Sequence, residues 1–151
     1  MKSLVILILF PFLLHAQISM KDIPAVASVF VAGMADGFNQ TIEFNYPVFK
    51  HHFPNANDNF WNPSISYLNK YKGRVEANGA AFPGSTTYLV EFTDGYHFTR
   101  LQEHIGYTAA IVFWINGKTK KKWWQYGIDA LESMAANRAG FVLVYDGMKI
   151  K

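Results

Sequence analysis

Apolar residues recur along the chain in four blocks of different pattern. The first, Leu4-Val5-Ile6-Leu7-Ile8-Leu9-Phe10-Pro11-Phe12-Leu13-Leu14, is unbroken. The second follows Asp22, a favourable helix N-cap, with Pro24 in the first turn, where its missing N–H costs nothing. Helical spacing then runs to Phe44, and Tyr46-Pro47 predicts the stop. From Pro47 to Pro83 the periodicity disappears. The string from His51 to Pro63 mixes turn residues with aromatics, which predicts an ordered loop whose rings need burial, with a short helix over 64–71. Gly73 to Gly84 reads as further loop. A second long helix is expected from Ser85 or Thr86 to about Trp114, bent at Gly95 or Gly106, although 86–93 is β-branched and aromatic enough for a strand. Asn116-Gly117 ends it, the basic turn Lys118-Thr119-Lys120-Lys121-Lys122 follows, and a third helix is expected from Trp123 to about Asp146. The expected fold is mainly α: a three-helix core with a long aromatic and asparagine-rich loop, open to partial embedding in a membrane.

The first block changes the picture of location. One lysine, eleven apolar residues and a small residue at Ala16 match a secretory signal peptide, so 1–16 is expected to be removed and 17–151 to form a single helical domain. The run is shorter than the ~20 residues that span a bilayer as a helix. A retained membrane anchor is the alternative. Either way the protein is expected to be exported to the cell envelope, periplasmic or membrane-associated.

Projecting the first helix at ~100° per residue separates two faces. Ile23, Val26, Phe30, Met34 and Phe38 share one; Ala25, Ser28, Ala32, Asp36, Asn39, Gln40 and Glu43 share the other. Water-soluble amphipathic helices usually carry lysine, glutamate and arginine on the polar face. Small residues with sparse polar ones facing inward are the pattern of a membrane helix packing against neighbours. Gly33 and Gly37 add a G-x-x-x-G spacing. The third helix repeats the scheme, with Asp129, Ser133, Ala136 and Gly140 opposite Leu131, Met134, Phe141 and Tyr145. The second helix, carrying Glu91, Asp94, His97, Arg100, Glu103 and His104, holds too many polar groups for an isolated lipid-facing span. Lys120, Lys121 and Lys122 beside Trp123 and Trp124 are the composition of an interfacial anchor on anionic lipid; a solvated loop beside a packed aromatic pair is the alternative.

Composition narrows the classes. Half of the chain is hydrophobic, 17% is aromatic and 17% charged, against about 25% charged for a typical soluble domain; disorder and charge-built coiled coils are excluded. With no cysteine there are no disulfides, zinc fingers, iron–sulfur clusters or thiol catalysis. A net charge of +3 is too small for a dedicated nucleic-acid surface. The expected partners are a membrane or anionic lipid, and a protein partner or another copy of the chain, with no nucleic acid.

Gly33-Met34-Ala35-Asp36-Gly37-Phe38, Phe60-Trp61-Asn62-Pro63, Asn69-Lys70-Tyr71-Lys72 and Gly84-Ser85-Thr86-Thr87, leading into Thr93-Asp94-Gly95-Tyr96-His97, resemble strings in an uncharacterised group of small helical bacterial proteins. The resemblance spans roughly residues 33–145. It implies membrane association and carries no assigned activity; the charged stretch 103–122 departs from the more hydrophobic C-terminal half of that group.

Candidate chemistry centres on Asp94 and His97, a carboxylate and an imidazole three apart, with His104 further along the same helix. Carboxylate and histidine at i, i+3 projecting into a bundle is how helical metal sites are assembled. With Asp36 from the first helix, a set of Asp36, Asp94, His97 and His104 could hold Zn²⁺ or another divalent ion and activate water, with Asp36, Asp94 and His97 as the catalytic groups of a hydrolase. A structural hydrogen-bonded pair is the competing reading of Asp94 and His97. Trp61, Asn62 and Tyr71 are candidates for a sugar or peptide groove, since tryptophan stacking and amide hydrogen bonds suit such ligands; a second small core is the alternative for that loop. The sequence favours a non-enzymatic envelope component, structural or partner-binding, over the hydrolase.

Overall fold

The computed structural model describes residues 21–117 and 120–149. The expected signal peptide and its cleavage site, and Lys118 and Thr119 of the basic turn, lie outside the described residues. Three long helices dominate: α1 (Ile23–Phe44), α5 (Gly95–Asn116) and α6 (Trp123–Lys149). Between α1 and α5 run the short helices α2 (Tyr46–His52), α3 (Asp58–Trp61) and α4 (Pro63–Ser66), then single 3-10 turns. Among the described residues there is no strand, only an isolated bridge between Tyr71 and Ala80. The mainly α expectation holds, and 86–93 forms turns.

Two boundaries differ from expectation for physical reasons. Pro47 does not open a loop. It sits in the first turn of α2, where proline's fixed φ suits helix initiation, so one residue ends α1 and starts its successor. The second long helix begins ten residues later than the earliest expected start. Gly84 adopts φ +87°, and the segment after it turns through Thr87 and Leu89, whose N–H groups donate to the Gly84 carbonyl. The start of α5 is capped by the side chain of Asp94, extended at φ −157° and ψ 167°. Asp22 does not act as a side-chain cap on α1; its carboxylate is used elsewhere, as described below.

α1 is the central helix, packed against both α5 and α6, while the backbones of α5 and α6 stay apart. The result is closer to a layer of three helices than to a closed triangular bundle. Its contacts are made by small residues. At the α1–α6 contact a Cβ on Gly33 would overlap the Asn137 carbonyl oxygen, and one on Gly140 would overlap that of Phe30. A Cβ on Gly37 would lie 2.7 Å from the Phe141 carbonyl oxygen. The G-x-x-x-G spacing of α1 is thus a backbone-to-backbone contact, reciprocated by Gly140. On the α5 side, Ala25, Val29 and Ala110 form a small buried core with Tyr107 and Trp114 packed over it.

Polar side chains pin the layer together. The buried Asn39 amide of α1 donates to Tyr96 O and Thr99 Oγ1 of α5, both at 2.8 Å. Asn137 of α6 reaches the Tyr107 hydroxyl of α5 at 2.9 Å. Asn45 donates to the Tyr145 hydroxyl at 3.1 Å. The inward face expected for α1 is therefore observed for Ala25, Ala32 and Asn39, all buried. No described helix is long and apolar enough to cross a membrane.

The aromatic loop folds over one end of this layer. Phe38 of α1, Phe49 and Phe53 at α2, and Trp61 of α3 pack with ring centroids 5.0–6.0 Å apart. Trp61 also lies on the backbone of Gly95, where a Cβ would strike its ring. His52 Nε2 lies 2.7 Å from the Met148 carbonyl, tying α2 to the end of α6.

Candidate functional site

Asp94 and His97 do meet. The His97 Nδ1 lies 2.8 Å from Asp94 Oδ2, and the His97 backbone N–H donates to Asp94 Oδ1 at 3.0 Å. A carboxylate only accepts, so the ring nitrogen facing it donates. The Thr93 hydroxyl stands 3.1 Å from Asp94 Oδ2 and 2.7 Å from its alternative acceptor, Val90 O. Asp94 is 1% exposed. Its position follows from local sequence: aspartate at the N-cap accepts from the N–H of His97 at N3, and the His97 ring turns back onto the same carboxylate. Asp94 stands just outside the helix and folds back over its first turn.

Polar side chains of the loop bond its own backbone and the residue before Asp94. Asn69 donates to Asn59 O at 2.6 Å and to Thr93 O at 3.0 Å. Arg74 donates to Asn59 Oδ1 at 2.8 Å and to Ile65 O at 2.7 Å. The buried Ser85 hydroxyl donates to Lys70 O at 2.8 Å. These bonds consume carbonyls that a chain of short turns would leave unpaired.

The other candidate ligands lie apart from this pair. Among the described residues no three His, Cys, Asp or Glu side chains come together in a way that could hold a metal ion. Asp36, Asp94, His97 and His104 are not brought together as such a group among the described residues. The Asp36 charge acts instead on Glu103 and Tyr107, across the α1–α5 contact. His104 is exposed and lines a shallow outer groove with Leu101, Ile105 and Val112. Wheel projection placed His97 and His104 on one side of the helix, but Asp36 approaches the opposite side.

Glu103 is the buried carboxylate of this region, and the sequence did not single it out. Its side chain is 12% exposed, Oε2 has no hydrogen-bond partner among the described residues, and Arg100 Nη1 stands 3.5 Å away, too far for a good hydrogen bond. Burial pushes its pKa up, with the Asp36 charge adding to the shift and Arg100 opposing it. Because the folded protein binds this proton more tightly than the unfolded chain, Glu103 weakens the fold as pH rises from about the ordinary carboxylate value of 4.5 through the raised one. Glu103→Gln removes that penalty. In urea melts the gain of the variant over the wild type should therefore grow between pH 4.5 and pH 7.5; a gain independent of pH would contradict the burial argument.

A second charged cluster ties the ends of two helices. Lys121 Nζ donates to Asp22 Oδ2 at 2.9 Å and to Asp129 Oδ2 at 2.8 Å. Burial by itself would lower the Lys121 pKa; the hydrogen bonds to Asp129 and Asp22 outweigh it, and the value is raised. The clamp borders an open cavity of about 430 Å³ lined also by Trp114, Ile115 and Tyr126. Asp22 before α1 and Asp129 in the second turn of α6, on either side of a lysine run, are its visible signal in the sequence.

Of the interfacial set, Lys121 is thus engaged inside the protein. Lys120 and Lys122 are exposed, Trp123 is 86% exposed and Trp124 46%. The aromatic-loop candidates also separate. Trp61 lines an open cavity of about 470 Å³ with Phe38, Phe49 and Phe53, but Asn62 and Tyr71 do not line it. Asn62 caps α4 by accepting from Ser64 N at 3.1 Å, and the Tyr71 hydroxyl donates to Glu76 Oε1 at 2.9 Å. No family model, characterised protein or solved structure matches this chain.

Proposed function

We propose that this chain is an exported, non-enzymatic protein of the cell envelope that attaches to an anionic membrane surface and serves there as a structural or partner-binding component. One observation carries the reading: Trp123, 86% exposed, stands with Trp124 at the start of α6 beside the exposed Lys120 and Lys122. An indole in water exposes a large apolar ring, whereas at a headgroup layer it has both an apolar and a wet side. Adjacent lysines gain attraction to anionic lipid at the same depth. No described helix is long and apolar enough to cross a bilayer; the attachment proposed is to the surface, through this turn. The resemblance to small membrane-associated helical proteins supports the same reading.

The test is co-sedimentation with vesicles of phosphatidylglycerol and phosphatidylcholine, read alongside tryptophan fluorescence. Binding should rise with the anionic fraction and blue-shift the emission. At about 1 kcal/mol per lysine near an anionic surface, Lys120→Gln with Lys122→Gln should weaken it roughly 30-fold. Equal binding to neutral and anionic vesicles, or none to either, would reject the proposal.

The alternative, a metal-dependent hydrolase with zinc held by Asp36, Asp94, His97 and His104, lacks a convergent ligand set among the described residues, and no other observation favours it.

A further inference from the structure

The face of α5 turned away from α1 carries an ordered apolar stripe with no cover among the described residues. Phe98, Leu101, Ile105, Thr108, Val112 and Ile115 follow one another at spacings of three, four, three, four and three residues. That is the alternation of the a and d positions of a heptad, here Phe98, Ile105 and Val112 at a, and Leu101, Thr108 and Ile115 at d. The buried residues of α5, Gly95, Thr99, Gly106 and Ala110, lie away from this stripe. Ile105 is 51% exposed and Ile115 70%, although both sit where a helix partner would enclose them. The stripe runs for about 27 Å at 1.5 Å per residue.

We infer that a second copy of this chain packs its own α5 antiparallel along this stripe. Regular spacing points to a helix as occupant, since lipid contact needs an apolar outer surface without register. Polar Gln102 and His104 flank the first half of the row, while Ala109 and the exposed Ile111 and Phe113 flank the second. The stripe is complementary to its own reverse. Turned about a two-fold axis near Gly106, Phe98 meets Ile115 of the other copy, Leu101 meets Val112, and Ile105 meets Thr108, so each layer pairs an a with a d position. The flanks bring Gln102 opposite Ala109 and His104 opposite Ile111, with no like charges facing. A parallel pair would instead stack Phe98 on Phe98 and Thr108 on Thr108, and would align the two helix dipoles side by side. Such a contact is isologous and closes as a dimer. At Ile115 it borders the cavity that Lys121 and Tyr126 line, but it uses none of Lys120, Lys122, Trp123 and Trp124 and does not depend on lipid binding.

Absence of native cysteine makes the register directly testable. In the full chain, Leu101→Cys with Val112→Cys places two pairs of thiols across the antiparallel contact. Within one helix the two positions are eleven residues, about 16 Å, apart, beyond the ~7 Å Cα separation a disulfide bridges. Mild oxidation should therefore give a band of twice the chain mass on non-reducing gels from the double variant, and little from either single variant. Phe98→Cys with Ile115→Cys, about 26 Å apart on one helix, should behave the same way, so that poor folding of one variant does not decide the outcome. Efficient cross-linking of single Leu101→Cys would overturn the antiparallel register. A monomer band only from both double variants, as coverage by lipid or by residues 1–20 would give, or cross-linking to a protein of another mass, would overturn the second copy as occupant.

Discussion

Alanine at Gly33 or Gly140 is expected to be the most damaging single-atom addition to this protein. In a helix interior glycine to alanine normally gains up to about 1 kcal/mol from propensity. Here the new methyl group would sit inside the carbonyl of the facing helix, Asn137 O for Gly33 and Phe30 O for Gly140. Backbone cannot rotate away as a side-chain end can, so α1 and α6 must separate along their length, and Gly37 and the Asn137–Tyr107 bond separate with them. Overpacking of this kind costs typically 1–3 kcal/mol and more when backbone must move, so a net loss of about 2–4 kcal/mol is expected for each. Gly127 and Gly147, also on α6, supply an internal control, because a Cβ at either meets nothing within 4 Å. Alanine there should raise stability by a few tenths to about 1 kcal/mol. Urea midpoints of the four variants measure both signs in one helix. Four similar values would mean that the close approach is not what holds α6.

Asp94→Ala is the second large effect. It removes the acceptor of the His97 backbone N–H and the partner of its Nδ1. Losing the cap costs about 0.5–2 kcal/mol, and a donor left buried adds to it, for a total of roughly 2–3 kcal/mol. Asp94→Asn retains an oxygen for the backbone N–H and should lose about half as much. Hydrogen exchange adds a spatial readout: amides of the first turn of α5, and loop amides held through Asn69 and Thr93, should lose protection before those of α1. Stability that instead followed added divalent metal, in the wild type and not in the variant, would restore a ligand role to Asp94.

These two results separate what the sequence made legible from what it hid. Small residues on α1 announced a tightly packed inward face, and Ala25, Ala32 and Asn39 lie buried on it. Helix periodicity is local, so it reads well from one chain. Which helix supplies the opposing wall is not local: that Gly33 meets Asn137 depends on α6 crossing α1 a hundred residues later. The start of α5 was misplaced for a related reason. Residues 85–93 have no strong turn dipeptide, and their ends are held by the preceding loop, Ser85 on Lys70 O and Thr93 O on Asn69. The candidate site suffered most. Asp94 and His97 were paired correctly by spacing, whereas Asp36 and His104 were grouped with them by wheel angle alone, which cannot tell which side of α5 faces α1. Glu103, the residue that does face it, looked like one more surface charge.

The placement of α1 has a consequence for biosynthesis. Among the long described helices, α1 comes earlier in the chain than both α5 and α6, the two that pack on its flanks. Its contacts with α6 join residues roughly a hundred positions apart, so most of the chain must be synthesised before the central element has both neighbours. Long-range contacts of this kind slow folding and leave intermediates exposed to aggregation. A nascent chain stalled before α6 would present the glycine-lined side of α1 bare, and truncations before residue 140 should be recovered bound to chaperones or degraded.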